Sequence, residues 1–326
     1  MKRQMGVSTY VGYVKDNEIR VQSSSGGIFY LLSKYIILSM HGVVFGAQFD
    51  EKWNVEHGYC EKIEDVNNFM GSKYVQSDLK NVYIQTKDFL DQGRWVLFSG
   101  TPCQIYGLKA FLKDEYKTLL TMDFICHGVA SPLTWEKYLR EISKEKEISS
   151  VNFRDKTNGW RNFSLKINFS DGSSYKQDLN HDYYMRGYLA NLFLRPSCYC
   201  CKFKTIERKA DITLGDFWGI DNMPEVYNKE GVSVIFVHSE LGQKVLQMIK
   251  GEVELWETNF WTAIDENSAF MQSAEKPAKR EDFFRSIREN FSLVRSIGYC
   301  TSESLSTVVK KFLKKAIISI KILLRK

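Results

Sequence analysis

The chain has 326 residues, 44% apolar and 26% charged, the balance of an ordinary folded protein and of neither a disordered nor a collagen-like chain. At about 150 residues per domain there is room for two domains and a sizeable core. The net charge of +6 is unevenly spread: residues 307–326 hold seven of the 45 basic residues and no acidic one, leaving 38 basic against 39 acidic in the other 306. A neutral body without a basic stripe argues against nucleic-acid binding, which needs phosphates neutralised over a surface.

Along the chain, residues 1–22 read as polar and short-stranded, and Ser23-Ser24-Ser25-Gly26-Gly27 opens a helix from Ile28 towards His41-Gly42, with serine expected at the N-cap. That apolar run, the longest, is broken by Ser33 and Lys34 and falls short of the roughly 18 residues of a membrane span. A strand over Val43 to Phe49 follows, then a helix near Lys62 to Met70, the loop Gly71 to Ser77 and a helix ending at Gln92-Gly93. A strand over Trp95 to Phe98 leads through Ser99-Gly100-Thr101 into a helix with Pro102 at its first position. A strand over Leu119 to Ile125 and a helix from Pro132 to about Lys146 complete an alternating pattern, expected to be an α/β half over residues 1–148.

After residue 148 the texture becomes strand-like, with runs at Val151 to Phe153, Ser164 to Phe169 and Ser174 to Gln177, and Asp171-Gly172 as a hairpin turn. A helix over Tyr183 to Leu194, the cysteine-bearing loop Arg195 to Lys204 and strands at Ile212 to Leu214 and Val232 to Val237 give an α+β part over 149–300. Residues 301–326 read as a basic amphipathic helix: at about 100° per residue its apolar side chains gather on one half and its lysines on the other. Such a helix suits an anionic membrane surface, contacted through residues 307–326, or the body of the protein or an acidic partner.

Seven cysteines, an odd number, and an opening without the charged and apolar regions of a signal peptide argue against a secreted disulfide scaffold and for the cytoplasm. Cys60 and Cys300 read as small core residues. Cys103 at a helix start, Cys126 at a strand end and the pair Cys198 and Cys201 all sit beside Gly or Pro turns, and the pair has the CxxC spacing that grips a metal centre. Four such thiolates suit a 4Fe-4S cluster or a structural zinc. A third reading makes Cys103 a nucleophile activated by its helix N-terminus. The turns Ser25-Gly26-Gly27 and Ser99-Gly100-Thr101 present backbone N–H groups suited to phosphate, without matching a Rossmann or Walker pattern.

Taken in order, Ser23 to Phe29, Gly71 to Ser77, Phe98 to Gln104, Cys126-His127-Gly128, Asn152 to Lys156, Arg195 to Lys204 and Asp211 to Gly219 resemble the motifs of the family of coenzyme F-420 hydrogenase/dehydrogenase beta subunits over roughly residues 8 to 250. The resemblance implies an oxidoreductase subunit, an iron-sulfur flavoprotein with a mixed-sheet flavin-binding core. Cys103, Cys126, Cys198 and Cys201 would ligate a 4Fe-4S cluster. Ser25, Gly26, Gly27, Ser99, Gly100 and Thr101 would hold FAD phosphates or ribose, with Ser72, Lys73, Gln76 and Ser77 near the isoalloxazine and Lys73 catalytic, stabilising an anionic reduced flavin. Arg154 and Lys204 are further candidates for an anionic cofactor or substrate. No cysteine precedes Ser23, where many members carry a ferredoxin-like module, so the expected electron donor is a ferredoxin or iron-sulfur partner subunit. The expected acceptor is a small organic molecule, deazaflavin coenzyme F-420 among the candidates. The competing reading is a zinc-stabilised scaffold in a membrane-associated assembly, or a thiol-dependent enzyme using Cys103.

Overall fold

The computed structural model describes residues 7–301, so the tail helix expected for 301–326 lies, but for Thr301, outside the described residues. Strand β1 (Ser8–Val14) is followed by helix α1 (Asn17–Gln22), whose first N–H groups are capped by the Asp16 carboxylate, and by α2 (Ile28–Lys34). The expected serine cap of α2 is not observed. Gly27, at φ +86°, occupies the cap position, and Ser25 Oγ donates instead to the Val232 carbonyl at 2.8 Å. The helix does not run unbroken to His41 either: beyond Lys34 it loosens into a π-helical turn, Tyr35–Ser39.

Next come β2 (Val43–Phe49), β3 (Val55–Cys60), a 3-10 turn over Ile63–Asn68, α3 (Val82–Asp91), β4 (Val96–Ser99), α4 (Pro102–Leu112), β5 (Leu119–Phe124) and α5 (Pro132–Ser143). After residue 147 follow β6 (Ile148–Asp155), β7 (Ser164–Phe169), β8 (Ser174–Asp178) and α6 (Tyr183–Leu189). The helix expected to reach Leu194 stops at Leu189, because Asn191 turns to φ +61° and sends Leu192, Phe193 and Leu194 into the buried core shared with Trp135, Phe153 and Tyr184. The chain closes with β9 (Ile212–Asp216), β10 (Ser233–Val237), α7 (Glu240–Ile249), β11 (Val253–Glu257), α8 (Phe260–Ile264), α9 (Arg280–Arg288) and α10 (Leu293–Thr301).

Eight strands form one mixed sheet in the order β11-β1-β10-β9-β5-β4-β2-β3, and β6-β7-β8 form a separate antiparallel meander. The large sheet therefore draws strands from both sides of residue 148. Its centre is parallel, β2 to β4 to β5 to β9, and antiparallel pairs flank it on both sides. Alternation along β4 explains the layers: Val96 and Phe98 pack with α3 and α4 on one face, and Leu97 packs with α2 and α7 on the other. The smaller sheet makes its core with α5, α6, α9 and α10 around Trp135, Phe153, Tyr184 and Phe193. Among the described residues no helix is long and apolar enough to cross a membrane.

Candidate functional site

In open sheets with parallel strands, ligands collect beyond the carboxyl ends of those strands. Here the segment after β2 supplies Asp50, the segment after β4 supplies Thr101 to Gln104, and the segment after β5 supplies Cys126 to Val129, all lining one cavity of about 770 Å³. Its remaining wall includes Gln76 and Ser77 and the stretch Ser197 to Lys204. That wall is tied in place by backbone: Arg195 N–H bonds the Val129 carbonyl, Ser131 N–H bonds the Phe193 carbonyl, and Gln76 N–H bonds the Ala130 carbonyl at 2.9 Å.

Cys103, Cys126, Cys198 and Cys201 are all unpaired thiols on this cavity. Cys198 sits in the 3-10 turn Pro196–Cys200, and Cys201 N–H donates to Ser273 Oγ at 3.0 Å. Burial pushes the Cys126 thiol up to about 12; Lys204 opposes that, and the charges of Cys103, Cys198 and Cys201 add to it. Burial also raises the Cys198 thiol, a shift to which the charges of Cys103 and Cys201 add. Lys204 holds its ammonium on the carbonyls of Cys126 and Ala269 and is itself lowered by burial. A fifth thiol, Cys200, lines the same cavity.

A single tetrahedral ion would sit about 2.3 Å from each sulfur, and among the described residues no three His, Cys, Asp or Glu side chains converge to hold one ion. A cube-shaped cluster spreads its four thiolate ligands over separate irons, and four cysteines facing one cavity from three segments fit that wider demand.

The expected flavin residues divide into two groups. Gln76, Ser77 and Thr101 line the cysteine cavity; Ser25, Gly26, Gly27, Ser72, Lys73, Ser99 and Gly100 do not. Gly26 N–H donates to Ser233 Oγ at 2.9 Å, Ser99 Oγ to the Phe45 carbonyl at 2.9 Å, and Gly100 N–H to the Met122 carbonyl at 3.1 Å. Ser72 Oγ donates to Ser24 Oγ at 2.8 Å, which joins the two serine-bearing loops. Lys73 keeps part of its stem exposed but turns its amine inward onto the Met70 carbonyl at 2.9 Å, 5.7 Å from the Phe49 ring, and burial lowers it to about 7. Nearby His57 is buried with Nε2 3.1 Å from the Ser99 carbonyl; burial lowers it to about 4, a shift the Ser99 bond opposes and the Lys73 charge reinforces.

Several residues at the site escaped the sequence reading. His57 carries no motif signal, while Asp216 and Gln104 lie inside the motifs Asp211 to Gly219 and Phe98 to Gln104 without a role being assigned to either. Gln104 acts through its side chain, whose Oε1 accepts from Thr101 N–H at 2.8 Å and whose Nε2 donates to Ser77 Oγ at 2.9 Å. Arg154 is buried at 4% exposure, paired with Asp216 at 2.7 Å and held between the Phe163 ring at 4.4 Å and the Trp218 ring at 5.5 Å. Its Nε and Nη2 have no hydrogen-bond partner.

A family model that describes the C terminus of the coenzyme F420 hydrogenase/dehydrogenase beta subunit matches residues 93–260, just over half of the chain. The chain belongs to this family. The matched span contains all five cysteines of the cavity, Thr101, Gln104, Arg154 and Asp216, whereas the serine-glycine loop and the loop Gly71 to Ser77 precede it. The F subunit of the F(420)H(2) dehydrogenase of Methanosarcina mazei is 22% identical over 219 residues, 65% of this chain and 54% of that protein. The chain therefore spans about half the length of that relative. The F420-reducing [NiFe] hydrogenase complex from Methanosarcina barkeri contains a chain of similar fold, with TM-score 0.56 and 16% identity over 86% of this chain and 91% of that one.

Proposed function

We propose that this member of the family is an iron-sulfur flavoprotein oxidoreductase subunit. Electrons would pass between a ferredoxin or iron-sulfur partner subunit and a small organic acceptor. The observation that carries the reading is the meeting of Cys103, Cys126, Cys198 and Cys201, from three segments, on one cavity beyond the carboxyl ends of parallel strands. These four residues would hold a 4Fe-4S cluster, and FAD would lie against the loop Gly71 to Ser77, which reaches from Lys73 to the cavity residues Gln76 and Ser77. When bound, such a pair supplies the interconversion of one-electron and two-electron chemistry.

The chain's own residues do the positioning. Lys204, fixed on the Cys126 carbonyl, sets a positive charge beside the thiolates. Lys73, with its amine near neutrality at about 7, can hold or release a proton beside the loop. The relatives named for F420 make deazaflavin a candidate acceptor.

Anaerobic purification with iron, sulfide, zinc and flavin quantified on one sample tests the reading. About four irons and one FAD per chain are expected, with iron lost in Cys198→Ala. One zinc without flavin would overturn it in favour of a scaffold or a thiol enzyme.

A further inference from the structure

An N-cap threonine ordinarily turns its hydroxyl to the free N–H groups of its helix. Thr101, at the N-cap of α4, does so within a capping box, its hydroxyl oxygen facing the Gln104 N–H while the Gln104 side chain takes the Thr101 N–H, and the hydroxyl's own proton is left to be placed. Its Oγ1 lies 3.0 Å from Cys103 Sγ and 3.1 Å from Gln104 Oε1. One hydroxyl proton thus faces two acceptors, and Oε1 already accepts from Thr101 N–H at 2.8 Å. A thiolate bound to iron carries charge, and a charge-bearing acceptor outcompetes a neutral amide oxygen. The rest of Gln104 is pinned: Nε2 donates to Ser77 Oγ at 2.9 Å, and its carbonyl accepts from Tyr83 at 2.7 Å.

We propose that Thr101 is a positioning residue of the redox centre, donating its hydroxyl to the Cys103 sulfur, and that Gln104 aims it while tying Cys103 to the loop Gly71 to Ser77. This rests on the reading of Cys103 as a cluster ligand and deepens it. Hydrogen bonds to ligand sulfurs are among the levers that set cluster potentials. A donor here stabilises the more negative, reduced state and holds the potential up. Thr101 then serves the sulfur, where the family resemblance implies a contact with FAD phosphate or ribose.

The test is a redox titration, followed by electron paramagnetic resonance, of the full chain purified anaerobically and reconstituted with iron and sulfide. Thr101→Val should bind iron as wild type does but titrate at a more negative midpoint potential, with an altered signal shape. Thr101→Ser should restore both, and Thr101→Ala serves where the valine packs poorly. Wild-type iron content with an unmoved potential in both Val and Ala variants would overturn the inference and leave the cluster assignment standing. A wild-type chain that takes up no iron would overturn both.

Discussion

Arg154 and Asp216 pair at 2.7 Å although they stand 62 residues apart and on different sheets, Arg154 on β6 of the small meander and Asp216 on β9 of the large sheet. Asp216 also accepts from Trp160 Nε1 at 3.1 Å, so one carboxylate anchors the strand and ring system that faces it. Removing the partner of a buried charge costs about 3–5 kcal/mol, far more than losing an exposed pair. Asp216→Ala should therefore lower the urea midpoint strongly, and Asp91→Ala, which breaks the exposed pair with Lys87, should barely move it. Equal small effects would mean that the Arg154 charge is not confined as its surroundings suggest.

The cysteines should sort sharply. Alanine at Cys103, Cys126, Cys198 or Cys201 is expected to abolish stoichiometric iron binding, whereas Cys60→Ala and Cys300→Ala should leave it intact. Cys60 is buried in the core beneath the large sheet, and Cys300 packs at the edge of the small core, away from the cavity. Iron content per chain checks this; iron lost from Cys300→Ala with the fold preserved would point to a different ligand set.

The cysteine cavity was legible in the sequence because Gly and Pro turns punctuate it: Ser99-Gly100-Thr101-Pro102 and Cys126-His127-Gly128 mark the ends of β4 and β5, and a parallel sheet brings those ends together. The pairing of β1 between β10 and β11 was not legible, since antiparallel partners more than 200 residues distant leave no local signal. The stop at Leu189 was hidden for a different reason. Leu192-Phe193-Leu194 continue the apolar pattern of a helix, and only the left-handed turn at Asn191 redirects them. Nor can a sequence say that the Lys73 amine folds back onto the Met70 carbonyl.

That inward turn has a pH signature. Burial lowers Lys73 from 10.5 to about 7, so between those values the unfolded chain keeps a proton that the folded chain has released. Stability then rises with pH across that window, and below about 7 the penalty of a charged buried amine is fully present. Lys73→Met should be more stable than wild type near pH 6, with the advantage shrinking as pH approaches 10. Denaturation midpoints of both proteins across this range decide the matter, and a constant difference would mean that the amine titrates as an exposed lysine does.

The serine-glycine loop poses the choice between cofactor cradle and packing joint most directly. A Cβ at Gly26 would stand 2.5 Å from the Gly12 carbonyl oxygen and 2.9 Å from the Ser233 nitrogen, both backbone atoms that cannot swing aside. Its N–H is already engaged by Ser233 Oγ at 2.9 Å, and its carbonyl accepts from Val14 N–H at 2.8 Å. Gly26 therefore lets the loop lie against β1 and β10, and Gly26→Ala should destabilise the flavin-free protein by about 1–3 kcal/mol through overpacking. Gly251→Ala, where nothing stands within 4 Å of the added carbon, is the matched control and should be near neutral. If Gly26→Ala instead left the flavin-free protein as stable as wild type while abolishing flavin retention, the loop would be a phosphate cradle first and a packing joint second.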